Sequence, residues 1–356
     1  MKVKLGDVCE RGTSNLRQSD VVGKGGDYPI YGASGYIGDV DFYHQEKSYV
    51  AIVKDGAGIG RTMLCPEKSS VIGTMQYLLP KDAILPQYLY YVVKYMHLEK
   101  YFSGATIPHI YFKDYKNEQF NLDTLKKQAI IVKILGKCEE VIAARNKQLN
   151  ALDELIQARF VEMFGDPVVN DKGWKIDTVE KLCKEIYGGG TPSKSHPEYY
   201  EDGNIPWVSS KDMKTDVLND SQIKINQLGV DNSTARMVPV NSVIMVIRSG
   251  ILKHTLPVAI NVVPITVNQD LKVFIPNERL LTRFLAVQFK MHEKDILSGV
   301  RAVTADNIEF NSLKQRKLIV PPIELQQEFA DFAHQVNKSK LVIKNLLQIY
   351  KHQIQM

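Results

Sequence analysis

Polar, basic and aromatic residues suited to gripping an anionic, hydrogen-bonding surface stand in turn-like segments of this 356-residue chain. In the first half they are Tyr36, Lys54, Arg61, Thr106 and His109. In the second they are Thr191, Lys194, Ser209, Lys211, Arg248, Lys253, His254, Arg301 and Thr304, with Trp207 belonging either to this set or to a core. Arg and Lys can bridge guanine N7 and O6 or hold phosphates, and Ser and Thr hydroxyls serve either purpose. Lys plus Arg number 45 against 40 Asp plus Glu, a net charge of +5 that mildly favours an anionic partner. So small a charge also suits an ordinary soluble surface, so the organisation of the chain must decide.

Motifs for covalent chemistry are missing. Lys54-Asp55-Gly56-Ala57-Gly58-Ile59-Gly60-Arg61-Thr62 follows an apolar run and invites comparison with cofactor loops. It lacks the spacing of a P-loop and of G-x-G-x-x-G, and Lys54 stands where a methyl-donor loop wants an acid. A tight strand-to-strand turn or a DNA-facing loop suits it better. There is no Asn-Pro-Pro-aromatic or Asp-Pro-Pro-Tyr tetrapeptide and no G-x-S-x-G elbow. Cys9, Cys65, Cys138 and Cys183 are too scattered for a disulfide framework or a paired-cysteine zinc site, and no histidine falls in H-E-x-x-H. We therefore assign no catalytic residue and no metal ligand, and expect reduced thiols. The N-terminus lacks the apolar run of a signal peptide and no stretch approaches a membrane span, which points to the cytoplasm.

The elements that must position these residues come in two copies. Leu5-Gly6-Asp7-Val8-Cys9-Glu10 reads beside Val179-Glu180-Lys181-Leu182-Cys183-Lys184, and Tyr28-Pro29-Ile30-Tyr31 beside Ile205-Pro206-Trp207-Val208. The β-branched runs Ser48 to Lys54 and Asn241 to Ile247 match, each leading into a glycine-bearing loop, hence strand then turn. Ser103-Gly104 matches Ser298-Gly299, Ile110-Tyr111-Phe112 matches Ile308-Glu309-Phe310, and Gln128 matches Gln326, always in the same order.

A long helix follows each copy. Ile131, Leu135, Cys138, Ile142, Arg145, Leu149, Leu152, Ile156, Arg159 and Met163 recur at steps of four and three, as do Phe329, Phe332, Val336, Ser339, Ile343, Leu346 and Tyr350. Such helices would be on the order of 45 to 60 Å long, more than a domain core needs, and each narrow seam calls for the other helix. Gly165 and Pro167 stop the first, so the second can cover its seam only by running back antiparallel. We expect an α+β protein with a pseudo-twofold internal repeat. Two mixed α/β domains, 1–123 and 166–320, are joined by long helices, 124–165 and 321–356, in an antiparallel coiled coil.

This ensemble resembles the DNA specificity subunit of type I restriction-modification systems across essentially the whole chain. The residues that carry the resemblance are Gly189-Gly190-Thr191-Pro192-Ser193 with Ile205-Pro206-Trp207-Val208-Ser209, and the helix entrance Ile319-Val320-Pro321-Pro322-Ile323-Glu324-Leu325-Gln326. Leu149-Asn150-Ala151-Leu152 before Phe160 and Phe164-Gly165-Asp166-Pro167 completes it. The first helix entrance, Leu122 to Gln128, departs from the family's double proline. The resemblance implies a non-catalytic subunit that binds double-stranded DNA. Each target-recognition domain would read half of a bipartite, asymmetric site, and the coiled coil would set the unread spacer. It also implies two modification subunits, bringing S-adenosylmethionine and adenine N6 methylation, and restriction subunits using ATP and Mg, with no cofactor on this chain. A self-contained methyltransferase built on the Gly56 to Gly60 loop, or a coiled-coil adaptor without a DNA role, are the competing readings.

Overall fold

The computed structural model describes residues 1–355 apart from 22, 57, 105, 106 and 303–305. Two compact units emerge, residues 1–144 with 350–356, and residues 145–349.

In the first unit the strand Tyr49–Val53 is buried along its whole length, as an uninterrupted apolar run requires of a strand covered on both faces. Successive side chains point to opposite sides, so Val50 and Ile52 join Leu78, Leu89 and Val93 in one core. Tyr49, Ala51 and Val53 join Ile30, Val40 and Met75 in another. The sheet order is Cys9–Thr13, Met75–Pro80, Tyr49–Val53, Thr62–Cys65, antiparallel throughout. A second sheet has Tyr28–Gly32 between Gly35–Val40 and Ser70–Val71, the last pair parallel. Lys2–Lys4 pairs with Gln119–Asn121 and closes the unit.

The second unit repeats this order strand for strand. Cys183–Gly188, Leu271–Pro276, Val243–Val246 and Val258–Asn261 form the main sheet. Ile205–Val208 lies between Lys224–Ile225 and a parallel Thr266–Val267. Ile176–Thr178 pairs with Lys317–Ile319. The internal duplication expected from the sequence is therefore a duplication of topology.

Within the main sheet one strand breaks the match. Val217–Leu218 adds to the edge of the second main sheet, parallel to Val258–Asn261, so that Ile260 is only 5% exposed. The equivalent Leu64, on an edge with no added strand, is 38% exposed. Val262 N–H donates to Leu218 O at 2.9 Å in the second unit. Pro66 occupies the matching place in the first and has no N–H to offer, a common protection for an open edge.

Each unit leads into a long helix, Leu125–Phe164 of 40 residues and Ile323–Gln355 of 33. Thr124 Oγ1 accepts from Lys127 N–H at the first entrance, where the double proline is absent. At the second entrance Pro322 O accepts from Leu325 and Gln326. Gly165, at φ 75°, ends the first helix in the left-handed conformation that glycine adopts most easily.

Within the second unit the two helices run antiparallel. Arg159 bonds Glu328 at 2.9 Å and Lys340 bonds Asp153 at 2.6 Å, so one number falls as the other rises. The contact is more than a seam. Phe160 and Phe164 are fully buried against Phe284 and Phe329, with Phe160 and Phe284 ring centroids 5.3 Å apart. The helix pair is thus fused into the domain core at this end. In the first unit Ile131 and Val132 pack on the domain core, and Glu139 takes bonds from Tyr91 (3.0 Å) and Lys94 (2.6 Å).

The register of the second stripe corrects the sequence expectation. Phe329, Val336 and Ile343 are buried as expected, but the alternate positions that join them are Ala333, Lys340 and Leu347. Phe332 is half-buried under the Arg159 guanidinium, Ser339 is exposed, and Leu346 and Tyr350 are each 37% exposed. Both stripes keep steps of three and four. The structure selects the one with small Ala333 at the crowded phenylalanine cluster and a paired Lys340 further along. On the first helix Leu135, Ile142, Leu149 and Leu152 are half-buried and Ile156 buried.

Candidate nucleic-acid interface

The C-terminal end of Tyr49–Val53 faces the same way as the starts of its antiparallel neighbours Thr62–Cys65 and Met75–Pro80, and loops from three regions meet there. The glycine-rich segment closes the hairpin, with Val53 N–H donating to Arg61 O and Gly60 N–H to Val53 O, both at 2.9 Å. Gly60 has φ 80°, and a Cβ there would lie 2.8 Å from Glu99 N. The segment therefore joins strand to strand, whereas nucleotide and methyl-donor loops lead from a strand into a helix N-terminus.

Arg61 reaches from this turn to Ala33 O at 3.0 Å, beside the hairpin bearing Tyr36. Tyr36 is 58% exposed, and the bond from its hydroxyl to Asp39 raises its pKa above the usual phenol value. Asp55 and His109 form an isolated antiparallel bridge, with carboxylate Oδ1 and ring Nδ1 2.7 Å apart. Lys54 Nζ stands 3.8 Å from the other Asp55 oxygen. Tyr111, half exposed, stacks near His109 at 6.3 Å. The structure thus gathers Tyr36, Lys54, Arg61 and His109 at one end of the sheet.

The second unit builds the same end from other side chains. Arg248 follows its central strand and bonds the Asp270 carboxylate through Nε and Nη2, each at 2.7 Å. Lys253 Nζ lies 3.9 Å from Asp306, and exposed His254 ends the same turn. Thr191 donates to Gln269, next to Asp270. Ser209 N–H and Oγ both bond Asp212 at 2.8 Å, just beyond the strand that Asn268 N–H meets at Val208 O. Lys194 and Lys211 are exposed and make no ion pair among the described residues. Trp207 is core, 7% exposed with its indole N–H donating to Gly190 O at 3.0 Å. Thr106 and Thr304 lie outside the described residues, as does the Arg301 side chain.

Three residues at this end escaped the sequence reading. Asp55 and Asp270 hold His109 and Arg248, pairings that span long sequence distances. Lys272 lies with its ammonium 4.6 Å from the Phe310 ring centroid. Burial first, and Arg248 second, lower its pKa. A lysine inside an otherwise apolar strand, Leu271–Pro276, is the signal that marks it. Elsewhere, burial pushes the Cys9, Cys65 and Cys183 thiols up to about 12, and all four cysteines are free. No group of His, Cys, Asp and Glu suited to a metal occurs among the described residues. No helix among them is long and apolar enough to cross a membrane.

Two copies of one mixed α/β domain, each leading into a long helix and each collecting polar loop side chains at the same end of its main sheet, define a duplicated specificity-subunit architecture. The chain belongs to the family of the type I restriction modification DNA specificity domain, whose model matches residues 1–154 and 171–349. It is 33% identical over 213 residues to the type I restriction enzyme EcoR124I/EcoR124II specificity subunit of Escherichia coli, covering 58% of this chain and 51% of that one. With the MjaIX specificity subunit of Methanocaldococcus jannaschii it shares 22% identity over 274 residues, 71% of this chain and 62% of the relative. The chain thus spans about half to three fifths of the length of these curated relatives. Its fold matches that of the type I restriction-modification S subunit from M. genitalium at a TM-score of 0.61 and 13% identity, over 99% of this chain and 93% of the other.

Proposed function

We propose that the chain is the sequence-reading, non-catalytic subunit of a type I restriction-modification complex. Each α/β domain reads one half of a bipartite, asymmetric DNA site. The long helices set the unread spacer and dock two modification subunits. Those partners supply S-adenosylmethionine and adenine N6 methylation, and restriction subunits bring ATP- and Mg-dependent translocation and cleavage, all in the cytoplasm. The observation that carries this reading is the duplicated topology with different side chains at the same end of each sheet. One scaffold used twice with altered contacts suits two different half-sites in one target.

The test uses the purified chain with labelled S-adenosylmethionine and DNA, alone and with its modification subunits. Sequence-specific adenine methylation only in the complex is expected. Methylation by the chain alone would instead make it a self-contained methyltransferase, and a complex with no DNA binding would leave an adaptor.

A further inference from the structure

The two interface loops share a backbone ladder that reveals which side chains correspond. In the first domain Lys54 N–H donates to Thr74 O at 3.0 Å, Ile110 N–H to Lys54 O at 2.9 Å, and Gly56 N–H to Pro108 O at 3.0 Å. In the second domain Ile247 N–H donates to Asp270 O at 2.9 Å, Ile308 N–H to Ile247 O at 2.8 Å, and Ser249 N–H to Asp306 O at 3.1 Å. Inside each ladder sits one isolated bridge, Asp55 with His109 and Arg248 with Asn307. The anchors Ile110 and Ile308 are both buried, at 1% and 6%. The bridge side chains are partly exposed, 32% for Asp55, 36% for His109 and 49% for Arg248. Backbone hydrogen bonds and a buried isoleucine hold this position whatever the bridge residues are, so those residues are free to differ. Their chemistry is opposite: a carboxylate in the first domain, a guanidinium in the second.

We propose that these are equivalent base-reading positions of opposite hydrogen-bonding sense, Asp55 with His109 in one half-site and Arg248 in the other. The proposal rests on the DNA-reading role above. Asp55 accepts from an exocyclic amine, cytosine N4 foremost, because a carboxylate facing DNA is repelled by phosphates and finds a donor only on a base edge. His109 Nδ1 fixes Oδ1, and the second oxygen, 3.8 Å from Lys54 Nζ, remains to accept. Arg248 donates to guanine N7 and O6. Asp270 grips it through Nε and Nη2, which orients the planar fork and leaves Nη1 and the second Nη2 hydrogen for the base.

The experiment expresses the full chain with its modification subunits in cells lacking other adenine methylation and maps every methylated adenine. Asp55→Asn and Asp55→Glu should change or loosen a single base position in one half-site. Arg248→Gln and Arg248→Lys should do so at one position in the other half. Each should lower adenine methylation at sites carrying the original base at that position about tenfold or more relative to sites carrying the alternatives. Co-purification with the modification subunits confirms that a variant has folded, and the conservative member of each pair is the fallback. Folded variants that keep the parental sequence, or lose methylation evenly with no altered base position, would overturn the assignment while leaving the DNA-reading role intact. An unaltered chain whose complex methylates no defined sequence would overturn that role and the assignment with it.

Discussion

Gln128 and Gln326, buried without exposure in two different domains, make the same set of hydrogen bonds. Gln128 Oε1 accepts from Leu85 N–H at 2.9 Å, and its Nε2 donates to Ala83 O at 2.9 Å and Asp123 O at 2.8 Å. Gln326 Oε1 accepts from Leu281 N–H at 2.9 Å, and its Nε2 donates to Arg279 O at 3.0 Å and Pro321 O at 2.9 Å. Each amide ties the first turn of a long helix to the start of the shorter helix before it, Pro86–Tyr95 or Thr282–Met291. Buried backbone groups need partners, and one carboxamide serves all three.

Replacing either glutamine by leucine leaves those backbone groups unpaired. We expect Gln326→Leu to cost about 3 kcal/mol in equilibrium denaturation of its unit. A loss below about 0.5 kcal/mol would mean that the amide is not what joins helix to domain.

The register of the second long helix is tested by neighbouring substitutions. Ile343→Asp buries a charge where the residue is 6% exposed and should destabilise the unit by several kcal/mol. Leu346→Asp, at 37% exposure, should change stability by less than about 0.5 kcal/mol. Thermal melting that ranked the two the other way would restore the stripe through Phe332, Leu346 and Tyr350.

His292 gives the fold a pH dependence. It is 2% exposed with neither ring nitrogen hydrogen-bonded among the described residues, and burial first, then Arg316, lowers its pKa to about 4 from 6.5. The folded state therefore prefers the neutral ring. Its contribution is fully present above pH 6.5 and declines as pH falls toward 4, by about 3 kcal/mol in all. His292→Gln should flatten the stability profile between those pH values. An unchanged profile would assign the acid sensitivity to other groups.

The duplication, the two long helices and the turn at Gly56 to Gly60 were legible because order, periodicity and glycine placement are local properties of sequence. Gln128 and Gln326 were matched by position alone, and the structure supplied their task. The strand Val217–Leu218 was not legible: it has two residues and exists only because a parallel edge awaits it. Lys340 is not legible either, because a charge on an apolar stripe makes sense only with Asp153 and Asp216 opposite, at 2.6 and 3.3 Å. Phe332 looked a better stripe residue than Ala333, yet the crowded cluster of Phe160, Phe164 and Phe329 favours the small side chain. Among the candidate interface residues, His109 and Arg248 are visible by type, whereas Asp55 and Asp270 become meaningful only once folding places them beside those two.

The central claim, one half-site for each domain, is tested most directly by exchanging residues 174–317 for the matching domain of another family member and mapping methylated adenines in cells that carry the modification subunits. The account predicts that one half of the bipartite sequence changes while the other half survives. A map in which both halves change, or neither does, would contradict it.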